Sequence, residues 1–123
     1  MHTARIISIV DDDELVRKAT SSLVRSLGWE TFVFASAEAF LESTQIGEMT
    51  CLITDERMPG MSGTELHARL RERGLVLPVI FVTAYPTAAL REKVMTSGAL
   101  ALLAKPVNPI AIAQCLERLT GPT

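Results

Sequence analysis

Cysteine, net charge and long apolar runs are all scarce in this chain of 123 residues. The two cysteines, Cys51 and Cys115, stand in separate apolar stretches with no partner at metal-ligand spacing. That excludes a disulfide framework and a thiolate metal site, and reads as two buried thiols in a reducing cytosol. Lys and Arg number 12 against 14 Asp and Glu, a net of −2. Such a balance lacks the clustered basic face of a nucleic-acid-binding domain. The longest uninterrupted apolar run, Ala99 to Ala104, falls far short of the roughly 20 residues that span a bilayer. Asp11 comes too soon for a signal peptide. The expectation is a cytoplasmic domain with no membrane contact.

What is present is an ordinary globular composition, 48% hydrophobic and 21% charged. A chain of this length makes one domain and buries about two-thirds of its unfolded surface without a metal or disulfide. The acidic residues divide unevenly, ten Glu against four Asp. Glu is scattered through segments of helical pattern, which suits its propensity. The aspartates are Asp11, Asp12, Asp13 and Asp55, and each follows or ends a β-like run. Solubility alone does not sort carboxylates that way.

Short, continuous apolar runs at Ile6–Val10, Thr31–Phe34, Cys51–Thr54, Val79–Thr83 and Leu100–Ala104 predict strands covered on both faces. Helical stretches separate them. The first starts near Glu14, carries Val16, Ala19, Leu23 and Leu27 on one face, and ends at Gly28. Ser36 caps a second, and Ser62 or Gly63 opens a third that Gly74 closes. A fourth runs from near Ala88 to Gly98. Asn108 and Pro109 start the last, which Gly121-Pro122 stops. There is no internal repeat, low-complexity tract or linker.

Five strands alternating with five helices predict an α/β doubly wound parallel sheet with right-handed crossovers. Ligands of such sheets bind outside the carboxyl ends of the strands, where strand order reverses. Asp11–Asp13, Asp55, Thr83 and Lys105 all arrive at that edge. The second strand offers only Ala35-Ser36 there. It therefore belongs on the outside, giving the order 2-1-3-4-5 and placing Asp11 and Asp12 against Asp55.

Converging carboxylates repel one another, and a hard divalent cation relieves that repulsion. A lysine and a hydroxyl facing the same site imply an anion as well, and a phosphoryl group can share its oxygens among all three. The P-loop pattern, a Ser/His pair and a reactive Cys are all missing, so the remaining nucleophile is a carboxylate, and Asp55 is the best placed. The residues alone thus read as a Mg²⁺-dependent aspartyl-phosphate site.

Val10-Asp11-Asp12-Asp13, Thr54-Asp55-Glu56-Arg57-Met58-Pro59-Gly60-Met61-Ser62-Gly63, Val82-Thr83-Ala84 and Lys105-Pro106 resemble the receiver (CheY-like) domain of two-component response regulators. The resemblance spans essentially the whole chain, and FixJ-type receivers are most similar. It implies one receiver domain over residues 1–123, with no output domain in this chain. It makes Asp55 the phosphoacceptor, taking its phosphoryl group from a phosphohistidine on a sensor histidine kinase or phosphotransfer protein. Asp12, Asp55 and the backbone carbonyl of Arg57 would bind Mg²⁺, or Mn²⁺ in its place, with Asp11 acting mainly through water. Lys105 and Thr83 would contact phosphoryl oxygens. Pro106 would follow a cis peptide. Tyr85 and Arg57 border the site where the lifetime of the acyl phosphate is set. Helix 4, strand 5 and helix 5 form the family's usual partner or homodimer face. One departure stands out: three residues before the lysine the family usually has Tyr or Phe, and here there is Leu102.

Asp13 reads as a helix-start residue, Trp29 as packing, and Met58 and Met61 as loop packing. His2 and His67 are isolated. Two other functions compete. A haloacid-dehalogenase-like phosphatase also uses a nucleophilic Asp, Mg²⁺, Thr and Lys, but wants a second Asp where this chain has Arg57. A phosphorylation-independent interaction module needs none of the Asp11, Asp12, Asp55, Thr83 and Lys105 set. A flavin site fails because acids stand where backbone amides should face a phosphate.

Overall fold

The computed structural model describes residues 5–44 and 46–120. His2 and the Gly121-Pro122 stop lie outside the described residues. The elements run β1 (Ile6–Val10), α1 (Glu14–Ser26), β2 (Glu30–Phe34), α2 (Ala37–Leu41), a 3₁₀ turn (Ile46–Glu48), β3 (Cys51–Asp55), α3 (Gly63–Glu72), β4 (Val79–Thr83), α4 (Ala88–Thr96), β5 (Ala101–Ala104) and α5 (Pro109–Thr120). The strands form one parallel sheet in the order β2-β1-β3-β4-β5, as the polar residues predicted.

Alternation along the strands divides the core into two layers. Ile6, Val10, Leu52, Phe81 and Leu102 pack with Phe40, Leu66, Leu70 and Val94 of α2, α3 and α4. Ile7, Ile9, Ile53, Ile80 and Val82 pack with Val24 of α1 and Ile112, Cys115 and Leu116 of α5. Each fully buried Leu or Ile stabilises the fold by roughly 1.5–3 kcal/mol. Trp29 closes the second layer, 5% exposed, with the Arg5 guanidinium 4.5 Å above its ring. Cys51 and Cys115 are both buried free thiols, and burial pushes the Cys51 thiol up to about 12. Met58 and Met61 pack part-buried against the first layer.

Two expectations need correcting. Only β1, β3 and β4 are buried along their whole length. The outer strands β2 and β5 are partly exposed, because each has a strand on one side only. Their runs also start one residue away from the predicted positions, at Glu30 and Ala101.

Capping chemistry sets the helix starts. Asp13 accepts from the Leu15 and Val16 N–H groups at 2.9 and 3.2 Å, as a helix-start residue should. Ser36 accepts from Ala39 N–H at 3.0 Å. Ser62 and Glu65 cap α3 reciprocally. Thr87 caps α4 through Leu90 N–H, and Asn108 accepts from Ile110 and Ala111 ahead of α5. Among the described residues no helix is long and apolar enough to cross a membrane.

Candidate functional site

The carboxyl ends of β1, β3, β4 and β5 bring Asp11, Asp55, Thr83 and Lys105 to one edge of the sheet. One carboxylate oxygen from each of Asp11, Asp12 and Asp55 lies within 4.8 Å of the others. The Lys105 ammonium sits 3.0 Å from Asp55 Oδ2 and 3.1 Å from Asp11 Oδ2. Asp11 and Asp55 are buried, whereas Asp12 is exposed. Lys105 follows a tie between strands, since its N–H donates to the Thr83 carbonyl at 2.9 Å. The Lys105–Pro106 peptide is cis.

The electrostatics of this cluster are asymmetric. Burial raises the Asp55 carboxyl above the ordinary aspartate range, and the Asp11 charge adds to it, against hydrogen bonds from Lys105 and the Arg57 N–H. Burial works against the Lys105 charge too, but hydrogen bonds to Asp55 and Asp11 outweigh it and raise its pKa. One ammonium therefore serves two carboxylates, and negative charge remains in excess.

The donor set suits a hard cation. Three carboxylates offer oxygen ligands only, the preference of Mg²⁺. Both Asp11 oxygens are engaged, one by Lys105 and the other by the Asp13 N–H at 2.9 Å. Among the described residues no hydrogen bond or ion pair engages the Asp12 carboxylate, which leaves it open beside Asp55.

Thr83 is 1% exposed, and its hydroxyl oxygen accepts from the Tyr85 N–H at 3.2 Å. Tyr85 itself is 65% exposed, with the Arg57 guanidinium 5.3 Å from its ring centroid. This cation–π contact joins the loop after β3 to the loop after β4. Leu102 is buried in the first core layer and pairs in register with Phe81.

Two glutamates to which the sequence alone assigns no role shape the loop after Asp55. Glu56 turns away from the acidic cluster and accepts from the Thr64 N–H and hydroxyl at 2.8 and 3.1 Å. Glu38, from α2, accepts from Met61 N–H at 3.1 Å. Gly60 sits under that carboxylate with φ +79°, and a Cβ there would meet Glu38 Oε2 at 2.7 Å. Glu56 was in plain view as the residue after Asp55. Glu38 carried no local signal, because its partner is 23 residues away.

A doubly wound parallel sheet with an acidic cluster, a lysine and a threonine at its switch edge defines a class of fold and site. The response regulator receiver domain family matches residues 7–117, and the chain belongs to that family. It is similar to the response regulator protein TodT of Pseudomonas putida, at 40% identity over 103 residues, covering 84% of this chain and 45% of TodT. The transcriptional regulatory protein FixJ of Azorhizobium caulinodans is 35% identical over 115 residues, covering 94% of this chain and 54% of that protein. The chain thus spans about half the length of these curated relatives. Among solved structures it is similar to FixJ-N, with a TM-score of 0.83 and 31% identity over 100% of this chain and 98% of that one. StyR superposes with a TM-score of 0.84 at 36% identity, covering 92% of this chain and 57% of StyR.

Proposed function

We propose that this receiver domain works in the cytoplasm and takes a phosphoryl group onto Asp55 from the phosphohistidine of a sensor histidine kinase or phosphotransfer protein. The observation that carries this reading is the position of Asp55. It ends a central strand, buried, with Lys105 at 3.0 Å and two further carboxylates close by. The Asp55 carboxylate attacks phosphorus, an O–P bond forms, the P–N bond of the donor breaks, and the imidazole leaves. Lys105 moves its charge from the carboxylates to a phosphoryl oxygen. Thr83 exchanges the Tyr85 N–H contact for a hydrogen bond to another oxygen. Asp12, Asp55 and the Arg57 carbonyl would hold Mg²⁺, with Asp11 behind them. The ion supplies charge neutralisation for the phosphoryl oxygens.

The domain acts only on itself, so it is a signalling switch and not an enzyme acting on a separate substrate. Arg57, two residues beyond Asp55, is a cation where a phosphatase of the haloacid-dehalogenase type needs a general acid. The products of switching are contacts made through α4, β5 and α5, with an output domain, a downstream protein or a second copy. Intact mass after incubation with acetyl phosphate and Mg²⁺ tests the reading. One phosphoryl mass should be gained by the protein and none by Asp55→Asn. No gain in the unmodified protein would leave an interaction module that works without phosphate.

A further inference from the structure

Away from the Asp55 site, α3 and α4 flank a crevice that the phosphoryl chemistry does not use. His67 of α3 lines it, 8% exposed, with its ring centroid 5.7 Å from that of Phe81 on β4. Among the described residues no hydrogen bond or ion pair engages this imidazole. Among the described residues no side-chain polar atom is sealed in the interior without a partner, so the unbonded ring nitrogens keep solvent access at the crevice wall. Burial, and then the Arg71 charge, hold His67 below its ordinary pKa. The free protein therefore presents a neutral imidazole with one N–H donor beside two cations.

Those cations line the same walls. Arg71 donates through Nη1 to the Ser97 carbonyl at 3.2 Å across the crevice, which leaves its other N–H groups available. Lys93 of α4 makes no ion pair among the described residues. Its charge reaches Glu65, whose carboxyl is held low first by hydrogen bonds from Ser62 and only lastly by Arg69 and Lys93. The space comprises two adjoining chambers that share His67, Arg71 and Ser97. The first is about 130 Å³; the second, about 330 Å³, is walled by Leu75 and Leu77. A volume of that order holds a small organic ligand.

We propose that the α3–α4 crevice binds a small amphiphilic carboxylate, its charged end between His67, Arg71 and Lys93 and its apolar body against Leu75 and Leu77. A buried imidazole flanked by two exposed cations, with no carboxylate among the lining residues, suits a negative partner. Leu75, Val76 and Leu77 give the second chamber one apolar wall, which a hydrocarbon tail would use and bare phosphate would not. The carboxylate favours the protonated imidazole, so binding takes up a proton and tightens as pH falls. The charged groups facing His67 are Arg71 on its own helix and Lys93 from α4, while β4 presents only Phe81.

Amide chemical shifts of the full chain, followed during titration with hexanoate, its neutral amide and inorganic phosphate at pH 5.5 and 7.5, test the site. Hexanoate should shift Phe81, Val94 and Ser97 along one saturating curve, with an affinity about tenfold above that of the amide or of phosphate. Lys93→Met, at an exposed position, should weaken hexanoate by about tenfold, and His67→Gln should abolish the pH dependence. Equal affinities for all three probes would overturn the proposal. So would shifts lying outside the crevice, indifference to Lys93→Met, or a pH dependence that persists in His67→Gln. None of these outcomes depends on whether Asp55 accepts a phosphoryl group.

Discussion

A Cβ on Gly63 would fall 2.5 Å from the backbone carbonyl oxygen of Asp55. The first residue of α3 is thus pressed directly against the end of the strand that carries the proposed phosphoacceptor. Gly63 N–H also donates to the Glu56 carbonyl at 3.1 Å, so helix and strand end are locked together. Because the obstructing atom is backbone, no side-chain rotation relieves it.

Gly63→Ala should therefore displace the Asp55 segment and destabilise the domain by about 1–3 kcal/mol, the usual cost of overpacking. Gly47→Ala is the matched control, since nothing lies within 4 Å of its added methyl. Thermal melts of the two variants check the contrast, and phosphoryl uptake from acetyl phosphate should fall only in Gly63→Ala. Equal melting points for the two would mean that the strand end yields freely.

The raised Asp55 pKa has a definite sign in stability. An acid whose folded pKa lies above its unfolded value stabilises the fold while protonated. That contribution is complete below the unfolded pKa and is lost as pH rises through the folded one. Near pH 7 the ionised Asp55 is a burden that Lys105 offsets only in part. Asp55→Asn should thus raise the metal-free melting point at pH 7, with the advantage shrinking toward pH 4. Melting curves across that range decide it; a gain that is constant with pH would mean charge is not the cause.

Divalent metal should stabilise the folded state by mass action, about 2.7 kcal/mol at a hundredfold excess over its dissociation constant. For a domain of this size that is a shift of several degrees. Asp12→Asn should blunt the Mg²⁺ response while raising the metal-free melting point, because Asp12 is the open carboxylate of the three. Differential scanning with Mg²⁺ and with EDTA measures both effects. An Mg²⁺ shift of full size in Asp12→Asn would move the metal elsewhere.

The sheet order and the meeting of Asp11, Asp55, Thr83 and Lys105 were legible because both stem from one rule of parallel sheets. Apolar runs placed the strands, and the polar residue after each run fell at the same edge. The hidden features depend on contacts between distant segments. Glu38 and Gly60 meet only because α2 and the β3–α3 loop are neighbours in space. The partial exposure of β2 and β5 likewise comes from sheet order rather than from their own composition. His67 looked isolated in the sequence, and only the packing of α3 against α4 sets it beside Lys93.

Tyr85 and Arg57 lend themselves to a kinetic test. Their cation–π contact, 5.3 Å from guanidinium carbon to ring centroid, joins the loops that follow β3 and β4 and should hinder the in-line approach of water to an acyl phosphate on Asp55. Tyr85→Ala and Arg57→Ala should each shorten the phosphoryl lifetime while leaving uptake nearly intact. If the contact acts as a unit, the double variant should decay no faster than the quicker single one. Decay followed by intact mass after removal of the phosphodonor gives the rates. Unchanged rates in both single variants would remove the shielding role.

Leu102 stands where a phosphoryl signal from Asp55 would have to pass to reach β5 and α4. It is 4% exposed, pairs in register with Phe81, and shares a core layer with Val94 of α4. A buried leucine in that place has no ring to turn between an outward and an inward position. Movement of Thr83 toward a phosphoryl group then has little to pull on at β5. A ligand shifts a two-state equilibrium only by its differential affinity for the two states. Addition of a phosphoryl mimic should accordingly shift amides beside Asp55 and Thr83 widely, and those of α4 and β5 little. Leu102→Tyr restores a ring with a polar end that favours the surface. It should cost about 1–3 kcal/mol of stability by overpacking, enlarge the α4 and β5 shifts, and leave the phosphoryl lifetime unchanged. If the unmodified protein already shifts α4 and β5 as widely as the Asp55 loop, leucine transmits the signal as well as a ring would, and the relay runs through packing alone.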